Sequence, residues 1–151
     1  MSPTPTKIRV LVVDDSAFVR QALARMLGSE PDIEVVGQAR DGLEGLEMAR
    51  ELRPDVITLD VKMPRLDGLE TLQRLIPVQH VPVLLMSSLT QEGAEITLRG
   101  LELGALDFVD KSRAQGQMNL LSLAEEVRTK VRALAGSAVA RGEHPTEAPP
   151  P

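Results

Sequence analysis

The stretch IRVLVVDD, residues 8–15, joins a largely apolar, β-branched run to two adjacent carboxylates. Such a run is typical of a strand buried on both faces, as the central strands of parallel sheets are. The apolar residues that follow recur at helical spacing, and this pattern ends at Gly28-Ser29, before Pro31. The beginning of the chain therefore predicts a buried strand, two acidic residues and a helix, in that order.

The order of strand and helix repeats along the rest of the chain. Further strands are predicted at residues 33–36, 56–59, 81–86 and 107–109, and further helices at about 42–52, 69–76, 93–103 and 120–134. Asp41 and Glu44 have the spacing of a helix-capping pair. This alternation favours an α/β domain with a parallel sheet, right-handed crossovers and helices on both faces. Functional groups of such domains gather at the carboxyl ends of the strands.

A length of 151 residues fits one domain. We expect residues 1–6 to be a flexible N-terminus and residues 7–135 to form the globular domain. The segment 136–151 has few large apolar residues and ends in three prolines, which predicts a linker or tail.

Composition argues against several classes of function. A net charge of −5 and only two aromatic residues disfavour nucleic-acid binding, which uses clustered cations and stacking rings. The absence of cysteine excludes disulfides and thiolate metal sites, and it is compatible with a reducing cytoplasm. We find neither a signal peptide nor an apolar run long enough to span a membrane, so we expect a cytoplasmic protein without membrane insertion.

Polar side chains follow four of the predicted strands: Asp14-Asp15, Asp60, Ser87 and Lys111. Each has an ordinary interpretation when taken alone. The acids and the serine could cap helices or form turns, and the lysine could be a solvated surface charge. Because the carboxyl ends of parallel strands share one edge of a sheet, their joint placement favours a functional site.

The chemistry of these groups indicates phosphoryl transfer. Three neighbouring carboxylates repel one another unless a cation compensates them, and Mg²⁺ prefers such oxygen ligands together with phosphate oxygens. In this interpretation Asp60 attacks the phosphorus, Lys111 balances the charge on the phosphoryl oxygens, and the Ser87 hydroxyl donates a hydrogen bond to one of them.

Four segments of the sequence, VLVVDDSAFVR, DVITLDVKMPRLDGLE, VLLMSS and GALDFVDKS, resemble the response-regulator receiver domain. The resemblance covers about residues 7–135. The stretch SSLTQEGAEITLRGLELGALDFVDK is similar to the regulatory domain of the chemotaxis protein-glutamate methylesterases of the CheB type. The resemblance implies a flavodoxin-like, or CheY-like, doubly wound (βα)5 fold with five parallel strands in the order 2-1-3-4-5.

The resemblance also implies roles for individual residues. The implied ligands of Mg²⁺ are Asp14, Asp15, Asp60 and the backbone carbonyl of Lys62. Asp60 would be the phosphorylated residue, Lys111 the lysine of the family motif and Ser87 the switch hydroxyl.

Phe108 occupies the position of an aromatic residue that rotates inward on phosphorylation in receivers. Its ordinary interpretation is a core ring. Rotation of Phe108 and movement of Ser87 would remodel the surface formed by the fourth helix, fifth strand and fifth helix.

Three features depart from the family pattern. Lys62 stands two residues after Asp60, where the methylesterases commonly have glutamate, so the lifetime of the phosphoryl group is expected to be unusual. Ser112 replaces the usual proline after Lys111, which affects the loop that holds this lysine. Residues 136–151 are not expected to hold the serine elbow and histidine of a catalytic domain.

The favoured function is a phosphorylation switch in a chemotaxis-type two-component system. The expected partners are a CheA-like histidine kinase, a methylesterase catalytic domain in cis and the C-terminal peptide of a chemoreceptor. The parent enzyme would be a protein-glutamate methylesterase and glutamine deamidase, while this chain would catalyse only its own phosphorylation and dephosphorylation. The alternatives are a stand-alone receiver and a receiver that binds partners without being phosphorylated. A flavin-binding flavodoxin is disfavoured, because two carboxylates follow the first strand in place of a phosphate-binding loop.

Overall fold

The computed structural model describes residues 7–63, 66–88, 91–111 and 117–140, with backbone alone for Gln91, residues 117–120 and residues 137–140. The strands are β1 (Ile8–Val13), β2 (Ile33–Ala39), β3 (Val56–Asp60), β4 (Val83–Ser87) and β5 (Asp107–Asp110). The helices are α1 (Ala17–Gly28), α2 (Gly42–Leu52), α3 (Gly68–Leu75), α4 (Gln91–Leu103) and α5 (Gln117–Ala140). Strand and helix alternate throughout the described chain.

The five strands form one parallel sheet in the order β2-β1-β3-β4-β5. β2 pairs with one side of β1, and β3 pairs with the other side. Later strands are therefore added in the opposite direction across the sheet, which places helices on both of its faces. The predicted doubly wound, flavodoxin-like fold is thus confirmed.

Successive residues of each strand face opposite sides of the sheet and build two cores. One core contains Leu11, Val13 and Leu85 and packs against α2, α3 and α4. The other contains Val10 and Val12 and packs against α1 and α5. Every residue of β3 and β4 is buried, which is why the sequences of these segments are largely apolar.

Acidic caps fix where two of the helices begin. The Asp41 side chain accepts a hydrogen bond from the backbone N–H of Glu44, which confirms the predicted capping pair of α2. Asp67 and Glu70 form a reciprocal capping box at the start of α3. Caps of this kind satisfy N–H groups that have no partner within the helix.

The bounds of some elements differ from the expected ones. β4 begins at Val83 instead of Val81, because Pro82 has no N–H for the sheet. Helix α5 continues to Ala140, past Ala135, where we expect the tail to begin. The predictions for residues 1–6, Ser112 and residues 141–151 lie outside the described residues. No helix in the described part of the chain combines the length and the apolar character needed to cross a membrane.

Arg132 joins α5 to the turn between α1 and β2. Its Nε lies 2.8 Å from Oδ2 of Asp32, and its Nη2 lies 2.9 Å from Oδ1 of Asp32 and 2.7 Å from Oε1 of Glu30. The bidentate contact raises the pKa of Arg132 and lowers that of Asp32. It holds together segments that are far apart in the sequence.

Candidate functional site

The carboxyl ends of four strands bring the predicted site residues to one edge of the sheet. Asp14 follows β1, Asp60 and Ser87 end β3 and β4, and Lys111 follows β5. Carboxylate oxygens of Asp14, Asp15 and Asp60 all lie within 4.8 Å of one another. Asp14 and Asp60 are each 1% exposed, whereas Asp15 is exposed. The acidic cluster therefore has two buried members and one that faces solvent.

Local turns occupy one oxygen of each buried carboxylate. Oδ1 of Asp14 accepts a hydrogen bond of 2.9 Å from the backbone N–H of Ser16, and Oδ1 of Asp60 accepts one of 3.3 Å from that of Lys62. These bonds close Asx turns, in which a carboxylate bonds the backbone two residues further on. The orientation of each carboxylate is consequently set by its own loop.

The other oxygen of each buried carboxylate faces Lys111. Its ammonium lies 2.9 Å from Oδ2 of Asp60 and 3.7 Å from Oδ2 of Asp14. The distance to Asp14 is too long for a hydrogen bond, and the contact with Asp60 is an ion pair. Both Oδ2 atoms are buried without a hydrogen-bond partner among the described residues. Buried polar atoms normally have such partners. The two oxygens are therefore available to a ligand.

Burial and mutual repulsion disfavour the charged form of the aspartates. Burial, the negative charge of Asp14 and only partial compensation by Lys111 raise the pKa of Asp60 to about 7. Burial also raises the pKa of Asp14. For Lys111, burial opposes the charged form, but the carboxylates of Asp60 and Asp14 outweigh it and raise the pKa of this lysine. At neutral pH the site holds a carboxyl group poised between its two forms.

The acidic cluster fits a hard divalent cation. Three carboxylates converge, and two of them present an oxygen without a hydrogen-bond donor among the described residues. Burial raises the pKa of Asp14 and Asp60, so further positive charge would stabilise their ionised form. All the donors are oxygens, which suits the hard cations. These side chains could hold a metal ion at the edge of the sheet.

Ser87 lies beneath this edge and has a partner that the sequence did not reveal. It is fully buried, and its Oγ lies 2.7 Å from Oγ1 of Thr97 on α4. Thr97 is itself only 3% exposed. The one sequence signal for it is a hydroxyl among apolar residues on the inner face of a helix.

Phe108 lies at the border of a core rather than at its centre. The ring is partly buried and packs against the core beneath α2, α3 and α4. The ammonium of Lys130 donates a hydrogen bond of 2.6 Å to the backbone carbonyl of Phe108 and lies 5.4 Å from the centroid of its ring. Lys130 thus connects α5 with this part of β5, a contact that the sequence did not suggest.

Lys62 contributes its backbone N–H to Asp60, while its side chain is turned to α4. The ammonium lies 3.4 Å from Oε1 of Glu92, and both side chains are largely exposed. An ion pair of this kind contributes little to stability. The pair spans the space between the β3–α3 loop and the start of α4.

Comparison with known proteins gives a consistent result. A family model described as the response regulator receiver domain matches residues 10–122. A protein-glutamate methylesterase/protein-glutamine glutaminase of Pyrococcus abyssi is 49% identical over 135 residues, which are 89% of this chain and 37% of that protein. A protein of the same name from Lawsonia intracellularis is 48% identical over 86% of this chain and 37% of its own length. The chain thus spans less than half the length of these relatives.

Solved structures agree with the sequence comparison. The response regulator domain of Thermotoga maritima CheB has a TM-score of 0.78 and 46% identity, covering 86% of this chain and 97% of that domain. The receiver domain of NarL from Mycobacterium tuberculosis has a TM-score of 0.75 and 30% identity, covering 87% and 98%. The predicted resemblance to receivers, and to those of the methylesterases, is confirmed.

Proposed function

We propose, because this chain belongs to the response regulator receiver domain family, that Asp60 accepts a phosphoryl group from a histidine kinase. The observation that carries this proposal is a buried carboxylate with a lysine ammonium 2.9 Å away and two further carboxylates beside it. Such a group combines a nucleophile with a fixed positive charge at the place where negative charge would accumulate.

In the proposed transfer the P–N bond of a phosphohistidine breaks, and an oxygen of the Asp60 carboxylate forms the new P–O bond. Lys111 would remain beside Asp60 and pair with the phosphoryl oxygens. Ser87 would turn its hydroxyl towards one of these oxygens, and Phe108 would move with it. The roles of Asp60, Ser87 and Lys111 are supported by the placement of these residues at one edge of the sheet.

We assign Mg²⁺ to the acidic cluster, held by Asp14, Asp15, Asp60 and the backbone carbonyl of Lys62. When bound, Mg²⁺ offsets the charge of the carboxylates and of the incoming phosphoryl group. Asp14 orients its other oxygen through the bond from Ser16, and Lys111 compensates part of the negative charge of the carboxylates.

The proposed output is a change in the face formed by α4, β5 and α5. Three apolar side chains there are exposed to solvent, Leu98 by 62%, Leu106 by 40% and Leu121 by 66%. We propose a methylesterase catalytic domain in cis as the partner of this face, in keeping with the relatives, and a chemotaxis-type kinase as the phosphodonor. The proposal includes a chemoreceptor C-terminal peptide as a further partner and a cytoplasmic location.

Incubation with Mg²⁺ and acetyl phosphate tests the phosphorylation of Asp60. We expect the intact mass to increase by one phosphoryl group in the wild type and to stay unchanged in Asp60→Asn. Asp67→Asn is the matched control, since asparagine caps helix α3 as well as aspartate does, and this variant should still be phosphorylated. An unchanged wild-type mass, or an increase in Asp60→Asn, would contradict the proposal.

Binding of Mg²⁺ is expected to release protons near neutral pH. With the pKa of Asp60 raised to about 7, part of the metal-free protein is protonated at this residue. A cation binds the ionised carboxylate, so affinity should increase as the pH rises through 7, and roughly half a proton should leave per Mg²⁺ at pH 7. Titration calorimetry in two buffers of different ionisation enthalpy measures this number.

The matched control for proton release is Asp32→Asn, because Asp32 is an exposed acid paired with Arg132 away from the site. It should bind Mg²⁺ with the same proton release as the wild type. Equal heats in the two buffers at pH 7 would show that Asp60 is already ionised in the metal-free protein.

A further inference from the structure

The hydroxyls of Ser87 and Thr97 form a buried pair that links β4 to α4. Their oxygens are 2.7 Å apart, and the Thr97 oxygen is also 2.7 Å from the backbone carbonyl of Gly93, one helical turn earlier. Ser87 is fully buried and Thr97 nearly so. Water therefore does not compete for these bonds.

The positions of the two hydroxyl protons follow from what each neighbour can accept or donate. A carbonyl oxygen only accepts, so the single proton of Thr97 is donated to Gly93. The contact between the two hydroxyls is then completed by the proton of Ser87, which is donated to the oxygen of Thr97. The hydroxyl that would bond the phosphoryl group is already engaged.

We propose that Thr97 is a positioning residue, which holds the Ser87 hydroxyl on α4 until a phosphoryl group on Asp60 competes for it. This inference rests on the proposed function of Asp60 and Ser87. Ser87 has only one proton, so a bond to the phosphoryl group breaks the bond to Thr97. Thr97 keeps its own hydrogen bond to Gly93, so its hydroxyl proton still has an acceptor after Ser87 moves away.

The packing of α4 on β4 explains how this exchange would be transmitted. A Cβ atom at Gly100 would lie 2.4 Å from Cδ1 of Leu85, so the helix backbone packs closely against this side chain of β4. One turn earlier the Ser87–Thr97 bond adds a polar connection between the same two elements. Loss of this bond would release the first half of α4 while Gly100 keeps the second half in contact with β4.

Thr97→Val tests the proposal, because valine has nearly the volume of threonine and lacks the hydroxyl. Ser87 then loses its acceptor at Thr97, which destabilises the unphosphorylated arrangement. We expect Asp60 to be phosphorylated by acetyl phosphate about three- to tenfold faster, the effect of one buried hydrogen bond. Thr97→Ser retains the hydroxyl and should restore the wild-type rate.

Repeating the substitution in a Ser87→Ala background separates this role from a merely structural one. Thr97→Val should accelerate phosphorylation when Ser87 is present and leave the rate unchanged when it is alanine. An equal change in both backgrounds, or a wild-type rate in Thr97→Val, would overturn the proposal. If the valine variant does not fold, Thr97→Ala makes the same comparison.

Urea unfolding of the same four proteins, without phosphodonor, distinguishes failure of this inference from failure of the proposed function. The effects of the two substitutions on stability could depend on each other while their effects on phosphorylation rate do not. This result would show that the hydroxyl pair is only structural, and it would refute the positioning role. If the wild type is not phosphorylated at all, the proposed function fails, and the positioning role fails with it. Coupling in both measurements supports the proposal.

Discussion

Asp60→Asn should make the metal-free protein more stable than the wild type above pH 7. The pKa of Asp60 is raised from 3.8 to about 7 by burial and by Asp14, so holding this residue ionised works against folding. A shift of this size corresponds to at most about 4 kcal/mol, and we expect a gain of about 2–4 kcal/mol in the free energy of unfolding. Urea unfolding at pH 8 in the presence of a chelator measures it.

The same carboxyl predicts how stability varies with pH. Between about pH 4 and pH 7 the folded protein holds a proton on Asp60 that the unfolded chain releases, so the metal-free wild type should lose stability as the pH rises through this range. The raised pKa of Asp14 acts in the same direction. Asp60→Asn should reduce the dependence of stability on pH, since asparagine does not titrate.

The control for this prediction is an aspartate whose pKa is lowered by folding instead of raised. The pKa of Asp32 is lowered by its hydrogen bonds from Arg132, so Asp32→Asn should lower stability at neutral pH instead of raising it. A loss of stability in Asp60→Asn at pH 8 would mean that the ion pair with Lys111 outweighs burial and the repulsion from Asp14.

Gly68→Ala is expected to damage both the fold and the site. A Cβ atom at this position would lie 2.5 Å from the backbone oxygen of Asp60 and 2.6 Å from Cα of Val61. Backbone atoms cannot move aside as a flexible side chain can, so α3 must shift away from the end of β3. We expect a loss of about 2–3 kcal/mol in stability, together with slower phosphorylation of Asp60, measured by urea unfolding and intact mass.

Gly136→Ala is the matched control for this substitution. Gly136 lies in α5, and a Cβ atom there would have no neighbour within 4 Å. Because alanine favours helix more than glycine does, this variant should be more stable by about 0.5–1 kcal/mol. Equal stability of Gly68→Ala and the wild type would show that the start of α3 can shift without cost.

The sheet could be predicted well from the sequence, because buried strands have a simple apolar pattern. The strands β3 and β4 are buried along their whole length, and short apolar runs bounded by turn residues are typical of such strands. Asp60 and Ser87 were predicted at strand ends for the same reason. Their position depends on where an apolar run ends, and this end is visible in a single amino-acid sequence.

The contacts between elements could not be predicted in this way. A threonine on the inner face of a helix, such as Thr97, reads like any other small core residue until its distance from Ser87 is known. Gly68 follows an aspartate, a pair typical of turns, and its close approach to the backbone of β3 depends on how α3 is placed. The contact of Lys130 with Phe108 likewise depends on the packing of α5 beside β5.

The Asx turns at Asp14 and Asp60 also affect how fast the site can bind a cation. Since Ser16 and Lys62 already fix one oxygen of each carboxylate, the remaining oxygen is aimed before any ligand arrives. A preorganised pair of carboxylates loses little conformational entropy when a cation binds, because these two side chains are already oriented. Ion uptake should then be limited by diffusion and dehydration rather than by rearrangement of the polypeptide.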